Sequence, residues 1–234
     1  MQRGVPVTVP KERSDDANES EGVWLWSLKR IAAIAATGEH YAALDGDAKR
    51  FDAERYEELR SLAALLIGEL ANAAPAAVLA TLPEPGAGYT TPMVYVRAAV
   101  LDGDEVLLVR ERSDGRWTLP GGFADTGATA ARNAEREVFE EAGIEVRAER
   151  LYAVVHKAAH DYDADVREFY KLYFLCRRVP GDDSAPRPCA VETLDARFFP
   201  RDALPDLSTG RVIAEHLLWA FDYAADPARP CYFE

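Results

Sequence analysis

The apolar residues of this chain change their spacing near residue 89, and this change divides the predicted fold into two parts. Before it, segments 22–38 and 52–70 carry apolar residues every three or four positions, which is the spacing of an amphipathic helix. Gly38 is placed to end the first helix and Asp52 to cap the second. After residue 89, short apolar runs alternate with turn signals, as in strands. The sequence therefore predicts a helical hairpin followed by a sheet-containing domain.

The hairpin needs a packing partner, because two short amphipathic helices cannot bury their apolar faces alone. It is expected to pack on the following domain or on a second copy of itself. The predicted organisation is a disordered arm at 1–20, the helical hairpin at 21–72, an Ala/Pro/Gly-rich linker at 73–88, and a larger domain at 89–234.

The larger domain alternates strands with two helices, which predicts an α+β fold with a sheet between helices. A hairpin signal at Asp102-Gly103-Asp104 separates the first two strands, and Gly143 is expected to end the internal helix. Strands are predicted at 94–101, 105–111, 117–119, 151–156, 169–177 and 197–199, and helices at 129–142 and 209–223.

Composition excludes several classes of protein. The net charge of −13 and the pI near 4.8 make binding to nucleic acid or to an anionic membrane unexpected, since both require basic surfaces. No apolar run approaches the roughly 18 residues that span a membrane, and the polar N-terminal residues do not resemble a signal peptide. The three cysteines are widely spaced and are expected to be reduced thiols. A cytoplasmic protein is therefore expected.

A group of carboxylates gives the internal helix its chemistry. Glu137, Glu140 and Glu141 stand at i, i+3 and i+4, so they lie on one face. Each like-charged pair costs a few tenths of a kcal/mol, and the group lies near the C-terminus of the helix, where the helix dipole disfavours anions. A hard divalent cation would offset this repulsion. Arg136 can hold the carboxylates in place through ion pairs.

The loop before the helix distinguishes this group from a solvated acidic face, which is the usual explanation for a pair of glutamates. Gly121 and Gly122 follow a strand and a proline, and adjacent glycines let the backbone approach a ligand or an ion closely. The Gly122 carbonyl is a candidate metal ligand. The N-terminus of the helix nearby offers N–H groups to phosphate.

This segment resembles the Nudix box, which has its glycines, arginine and glutamates at fixed spacing. The matching positions are Gly122, Arg136, Glu137, Val138, Glu140, Glu141, Gly143 and Ile144. Ala128 stands where the box has an early glutamate. The resemblance implies an α/β/α sandwich with a mixed sheet, and hydrolysis of pyrophosphate bonds with Mg²⁺ or Mn²⁺. It also implies that Glu137, Glu140 and Glu141 bind the metal, with Glu141 in direct contact.

The first part of the chain is similar to the helical N-terminal domain of a Nudix subgroup that includes CDP-choline pyrophosphatases and proteins labelled ADP-ribose pyrophosphatases. The similarity continues through Ser113-Asp114-Gly115 and Val191-Glu192-Thr193. It implies a nucleoside diphosphate joined to another moiety as the substrate. The helical domain of this subgroup supports dimerisation, so a homodimer is expected.

Other candidates for the site lie outside the box. Glu192 precedes a late strand, where the family often places a further metal ligand or base; an ordinary loop glutamate is the equal alternative. Substrate contacts are predicted for Gly121 and Phe123 and for three arginines that flank the loop, although strand arginines are ordinarily solvated. These arginines are Arg110, Arg112 and Arg116.

Aromatic and loop residues offer weaker signals. Phe123, Trp117 and Tyr95 can stack on a nucleobase, but tryptophan and tyrosine at strand positions more often belong to the core. His156 and His160, with Asp161, Asp163 and Asp165, form a polar loop that can cover the site or supply a base, although loops of this composition usually have no such role.

Two alternatives to a pyrophosphatase stay open. One is a Nudix domain kept as a non-catalytic nucleotide sensor, against which the intact acidic triad counts. The other is an enzyme of ribonuclease or decapping type, against which the absence of a basic tract counts.

Overall fold

The computed structural model describes residues 16–44, 49–82, 88–189 and 191–234, which fall into two compact units, Met1–Pro92 and Met93–Glu234. The predicted arm at 1–20 lies outside the described residues for positions 1–15, and positions 16–20 are helical. Among the described helices, none is long and apolar enough to cross a membrane.

The first unit is the predicted helical hairpin with longer helices. α1 spans Asp16–Leu44 and α2 spans Arg50–Ala71. Small and branched apolar side chains between the two helices are fully buried; they include Ala32, Ala64 and Ile67. The hairpin leaves part of its apolar surface accessible, since both helices carry large apolar side chains that are exposed.

Two predicted helix boundaries in this unit are wrong. Gly38 does not end α1, which continues for six residues to Leu44. A Cβ at Gly38 would lie 2.6 Å from the ring of Tyr56, so this glycine lets the two helices approach closely. Asp52 does not cap α2, because the N-cap is Lys49; Asp52 lies in the first turn and pairs with Arg55 at 2.8 Å.

The segment predicted to be a linker contains a short helix, α3, at Pro75–Leu79. It begins at a proline, which suits the first turn of a helix because proline has no N–H to leave unpaired. Before it, Asn72 caps the C-terminus of α2 with a left-handed backbone (φ 49°), and the N–H groups of Asn72 and Ala73 donate to the carbonyls of Glu69 and Gly68.

In the second unit, seven strands of the described residues form one mixed sheet. The strands are β1 (Met93–Asp102), β2 (Glu105–Glu111), β3 (Trp117–Thr118), β4 (Val146–His156), β5 (Phe169–Arg178), β6 (Thr193–Pro200) and β7 (Tyr232–Phe233). The order along the sheet is β3-β2-β1-β5-β4-β7, with β6 paired to β2. The pairs β1–β5 and β4–β7 are parallel and the other pairs are antiparallel.

Two helices cover the sheet, each with its own buried cluster. α4 (Ala130–Ala142) packs Ala134, Val138 and Ala142 into one cluster, and α5 (Ala214–Ala225) packs Leu217 and Phe221 into the other. This arrangement confirms the predicted α+β fold, an α/β/α sandwich with a mixed sheet and a helical N-terminal unit.

The second unit differs from the prediction mainly at strand ends. β4 begins at Val146 and β6 at Thr193, several residues earlier than predicted, and α5 begins at Ala214 rather than at residue 209. β7 carries no sequence signal, because both of its residues are exposed and only pairing with β4 defines it.

α4 is placed by its caps. The hydroxyl of Thr129 accepts a hydrogen bond from the N–H of Arg132 at 3.2 Å, which contributes about 1 kcal/mol to helix stability. At the other end, Gly143 adopts a left-handed conformation (φ 67°) and returns its N–H to Phe139. These caps determine where the carboxylates of the last turns lie.

Candidate active site

Glu141 connects the helix to the glycine loop. Its Oε2 accepts a hydrogen bond of 2.9 Å from the backbone N–H of Gly121, and the residue is only 5% exposed. Burial raises the pKa of Glu141 to about 8, although the Arg97 charge and the Gly121 N–H favour the charged form. A cation bound beside Glu141 would favour the charged form of this carboxylate.

Positions 121 and 122 require glycine, because neighbouring atoms lie too close to leave room for a Cβ. Gly121 has a φ of +148°, and a Cβ there would lie 2.1 Å from the carbonyl oxygen of Val96. A Cβ at Gly122 would lie 2.8 Å from Oε1 of Glu137. The Gly122 carbonyl accepts a hydrogen bond from the N–H of Val96 at 2.9 Å, so β1 holds the loop against the carboxylate helix.

Arg136 binds the acidic residues around it. Its guanidinium donates to Glu137 at 3.1 Å and to Asp125, and it lies 3.8 Å from Glu140. Burial raises the pKa of Glu137, while Arg136 opposes this shift. Glu140 is exposed. Arg136 therefore pairs with Glu137 and Glu140 on the acidic face of α4.

Arg97, on β1, is a buried cation that the sequence interpretation did not include. Its Nη1 donates to the carbonyl of Leu119 at 2.6 Å, and its charge acts on Glu141. Within the described ranges, Nε and Nη2 of Arg97 make no hydrogen bond. An arginine inside an apolar strand was the available signal, since buried charges require partners. Glu111 also lies within electrostatic range of Arg97 and Glu141.

The carboxylates suit a hard divalent cation in chemistry but are not preassembled around one. In the part of the chain that the structure describes, no three carboxylate, imidazole or thiolate groups converge as a ligand set. Glu137 and Glu140 lie toward Arg136, and Glu141 toward Gly121. The acidic side chains on one helix face, two of them buried, supply the oxygen donors that Mg²⁺ and Mn²⁺ accept.

A pocket of about 310 Å³ adjoins this loop through Arg97. It lies between β1, β5 and the loops at 157–167 and 210–211. Its lining combines three aromatic rings, five basic side chains and two aspartates: Tyr95, Phe123, Phe169, Arg97, Lys157, Arg167, Lys171, Arg211, Asp163 and Asp165. Of these, Tyr95 and Phe123 were predicted to stack on a nucleobase, and Asp163 and Asp165 belong to the loop predicted to cover the site.

Lys171 and Arg211 are far apart in the sequence and meet at one wall of the pocket. Lys171 is 2% exposed, and its ammonium donates to the Arg211 carbonyl. Burial, reinforced by the charge of Arg97, lowers the pKa of Lys171 well below its usual value. Arg211 pairs with Glu111 and Asp114, both at 3.2 Å, and donates to Ser113 at 3.0 Å. The Ser113-Asp114 turn therefore anchors one wall of the pocket.

The three arginines predicted to contact substrate do not line this pocket. Arg110 donates to the Gly115 carbonyl at 2.7 Å, Arg112 to the Val191 carbonyl at 3.0 Å, and Arg116 pairs with Asp206 at 3.2 Å. Their side chains stabilise turns at this end of the sheet. The cations of the pocket come from other residues.

Of two other predicted residues, Glu192 lies near the carboxylate helix and Trp117 belongs to the scaffold. Glu192 is exposed and close enough to Glu137 for its charge to raise the pKa of that residue. Trp117 packs edge-on against Phe199 at 4.6 Å, away from the pocket lining.

The two histidines that precede the aspartates also stabilise the scaffold. His156 pairs with Glu168 at 2.5 Å and His160 with Glu234 at 3.0 Å. The loop that follows His160 contributes Asp163 and Asp165 to the pocket wall.

Fold and site together define a class: an α/β/α hydrolase with a carboxylate helix beneath a glycine loop, beside a pocket rich in cations. Residues 91–219 match the model of the NUDIX domain, and residues 23–82 match that of the UDP-X-like, N-terminal oligomerisation domain. The chain belongs to the Nudix family and is a hydrolase of the pyrophosphatase type.

Two of the relatives cover most of the chain. A putative ADP-ribose pyrophosphatase, YjhB of Bacillus subtilis, is 35% identical over 211 residues, covering 90% of this chain and 97% of its own. The structure of a UDP-X diphosphatase aligns with a TM-score of 0.55 at 29% identity, covering 92% of this chain and 99% of that one. An ADP-ribose pyrophosphatase from Streptococcus suis aligns with a TM-score of 0.55 at 34% identity, covering 62% of this chain and 100% of that one.

Proposed function

We propose that this protein hydrolyses the pyrophosphate bond of a nucleoside diphosphate joined to another moiety, with Mg²⁺ or Mn²⁺ as cofactor. The observation that carries the proposal is the position of Arg97, which lines the cation-rich pocket and acts on the buried carboxylate of Glu141. Groups suited to phosphate and groups suited to metal therefore adjoin each other. The ADP-ribose pyrophosphatases and the UDP-X diphosphatase among the relatives support this reaction class.

The roles of the carboxylates follow from their surroundings. Glu137, Glu140 and Glu141 are the proposed metal ligands, with Glu141 in direct contact and Glu192 and the Gly122 carbonyl as further candidates. Bound there, the cation would neutralise phosphate charge and activate the attacking water. Arg136 orients Glu137 and Glu140 through its ion pairs. The Gly121 N–H orients Glu141.

The pocket has the complementary role of holding the substrate. Arginine and lysine side chains bind phosphate oxygens through charge-assisted hydrogen bonds. Arg97 has two N–H-bearing nitrogens without partners in the described residues, and Phe123 is 43% exposed at the edge of the pocket. We assign Arg97 to the phosphates and Phe123 to packing against the nucleoside.

The experiment is a hydrolysis screen with Mg²⁺ or Mn²⁺, in which products are separated by chromatography. ADP-ribose, CDP-choline and a UDP-linked sugar represent the proposed class, and nucleoside triphosphates are the comparison. We expect a nucleoside monophosphate and a phosphorylated moiety as products. Hydrolysis of triphosphates alone would contradict the proposed substrate, and binding without hydrolysis would favour the sensor alternative.

We further propose that the N-terminal unit makes the protein a homodimer. Large apolar side chains are exposed on both of its helices, among them Trp24 on α1 and Leu62 and Leu66 on α2. Large apolar side chains exposed to this extent are typical of an interface. The match to an N-terminal oligomerisation domain supports a second copy of this chain as the partner.

A further inference from the structure

The aromatic rings of the pocket are already in contact with cations of the protein. The guanidinium of Arg97 lies 4.7 Å from the centre of the Tyr95 ring, and the Lys171 ammonium lies 5.7 Å from it. The Phe169 ring has Lys157 at 5.3 Å and Arg167 at 5.0 Å. These distances are those of cation–π pairs. A cationic ligand would therefore find both rings occupied by like charge.

The charges in the pocket also disfavour a cation. Besides Lys171, four positively charged side chains line it, against the carboxylates of Asp163 and Asp165. Asp165 is paired with Lys157 at 3.1 Å and Arg167 at 3.0 Å. Although burial opposes the shift, hydrogen bonds from Arg167 and Lys157 lower the pKa of Asp165 to about 2. Its charge is therefore committed to the protein's own cations.

A nucleobase has little aromatic surface available inside the pocket. Phe169 is 4% exposed, and the Tyr95 ring packs edge-on against Phe123 at 4.8 Å. Phe123 alone among these rings presents substantial exposed surface, at the edge. Hydroxyl and phosphate oxygens match the interior better, because the donors there are ammonium and guanidinium groups.

We propose that this pocket holds the moiety joined to the nucleoside diphosphate and selects one that is hydroxylated or anionic, against one that carries a quaternary ammonium group. This inference rests on the proposed function and restricts it: a sugar or polyol conjugate is a substrate, and a choline conjugate is a poor one. Selection acts through the repulsion between the pocket cations and the ligand charge.

The test compares two substrates that share the same nucleoside, CDP-glycerol and CDP-choline, on the full-length protein. We expect kcat/KM for CDP-glycerol to exceed that for CDP-choline by at least about tenfold, since like charges brought together cost more than 1.4 kcal/mol. Equal values, or a preference for CDP-choline, would overturn the inference while leaving the proposed function standing.

Two variants that change the charge of the pocket distinguish substrate selection from a general loss of activity. Arg167→Gln removes a pocket cation and should lower the ratio of the two kcat/KM values severalfold; Asp163→Asn removes a pocket anion and should raise it. Both side chains reach solvent, so both variants are expected to fold. The matched control is Arg177→Gln, an exposed arginine paired with Glu149 outside the pocket, which should leave the ratio unchanged.

Titration calorimetry of the same two compounds gives a second measurement that does not depend on turnover. Hydrolysis of neither compound would contradict the proposed reaction for cytidine conjugates. Tighter binding of CDP-glycerol would then still support the charge selection, and equal or tighter binding of CDP-choline would overturn it. A shift of both substrates by the same factor in Arg167→Gln and Asp163→Asn would also overturn it, because a purely structural role changes both alike.

Discussion

The backbone N–H of Gly121 donates a hydrogen bond of 2.9 Å to the carboxylate of Glu141, which lies twenty residues further along the chain. This bond joins the glycine loop to the last turn of α4. It determines the orientation of a buried carboxylate next to Arg97. The proposed metal ligand is therefore oriented by backbone rather than by a flexible side chain.

Glu141→Gln is expected to lower kcat by about a hundredfold or more. The amide keeps the shape of the side chain but loses the charge that a divalent cation requires, and losses of transition-state charge stabilisation have this magnitude. The measurement is steady-state hydrolysis with Mg²⁺ or Mn²⁺. Glu149→Gln, an exposed glutamate paired with Arg177, is the matched control and should retain full activity. Comparable rates in the two variants, or full wild-type activity in excess chelator, would contradict the proposed metal role.

Gly121→Ala should destabilise the protein strongly, because its methyl group would lie 2.1 Å from a backbone oxygen that cannot move without disturbing β1. Gly127→Ala isolates the cost of the left-handed backbone: its φ is +86° and nothing lies within 4 Å of the added methyl group. We expect about 1 kcal/mol for Gly127→Ala and several times more for Gly121→Ala in urea denaturation. Equal losses would mean that the contact with Val96 is not the reason for Gly121.

Ala128→Glu restores the early box glutamate. Supporting residues around a metal site contribute about ten- to a hundredfold, and we expect the other residues here to compensate for the missing glutamate, so activity should change by less than about tenfold. Ala128 is exposed and precedes the N-cap Thr129, at the opposite end of α4 from Glu141. The rate of this variant is compared with that of the wild type. An inactive wild type beside an active Ala128→Glu variant would favour the sensor alternative.

Replacing two exposed leucines of α2 should weaken the dimer. Leu62 is 50% exposed and Leu66 48% exposed, and charges at both positions would be buried at an apolar interface. The double variant Leu62→Glu, Leu66→Glu should shift toward monomer in light scattering. The control is Glu58→Gln, at an exposed position of α2. A dimer of unchanged stability, or a chain starting near Tyr89 that remains dimeric, would place the interface elsewhere.

His216 should make stability fall as the pH decreases. It is fully buried beside Tyr162, and burial, with the charges of His160 and Lys171, lowers the pKa of His216 to about 3. The unfolded chain takes up this proton near pH 6.5 and the native protein does not, so stability is lost as the pH falls from about 6.5 toward 3.

The raised pKa of Glu141 acts in the opposite direction, so the informative quantity is the difference between wild type and His216→Gln. Between pH 6.5 and 4.5 the wild type should lose up to about 2–3 kcal/mol of unfolding free energy relative to the variant. Denaturant titrations at the two pH values measure it. Parallel pH dependence in both proteins would show that His216 is not the group responsible.

The sequence by itself determined the elements and the acidic helix. Helical and strand periods are local properties, and so are the caps Thr129 and Gly143; the spacing of Glu137, Glu140 and Glu141 places them on one face of any helix. The family followed from the same segment. Boundaries failed where packing overrides local preference, as at Gly38, which faces Tyr56 rather than ending α1.

Only the tertiary structure determined which residues line the pocket. Arg97, Lys171 and Arg211 lie on separate strands and loops, and nothing in their local sequence indicates that they meet. They converge because β1 and β5 pair in parallel and because the Ser113-Asp114 turn holds Arg211. Arg110 and Arg112, adjacent to the loop in sequence, instead bind carbonyls of nearby turns. A side chain's partners depend on long-range pairing, whereas its position on a helix face depends only on spacing, and so the carboxylates were predictable and the pocket cations were not.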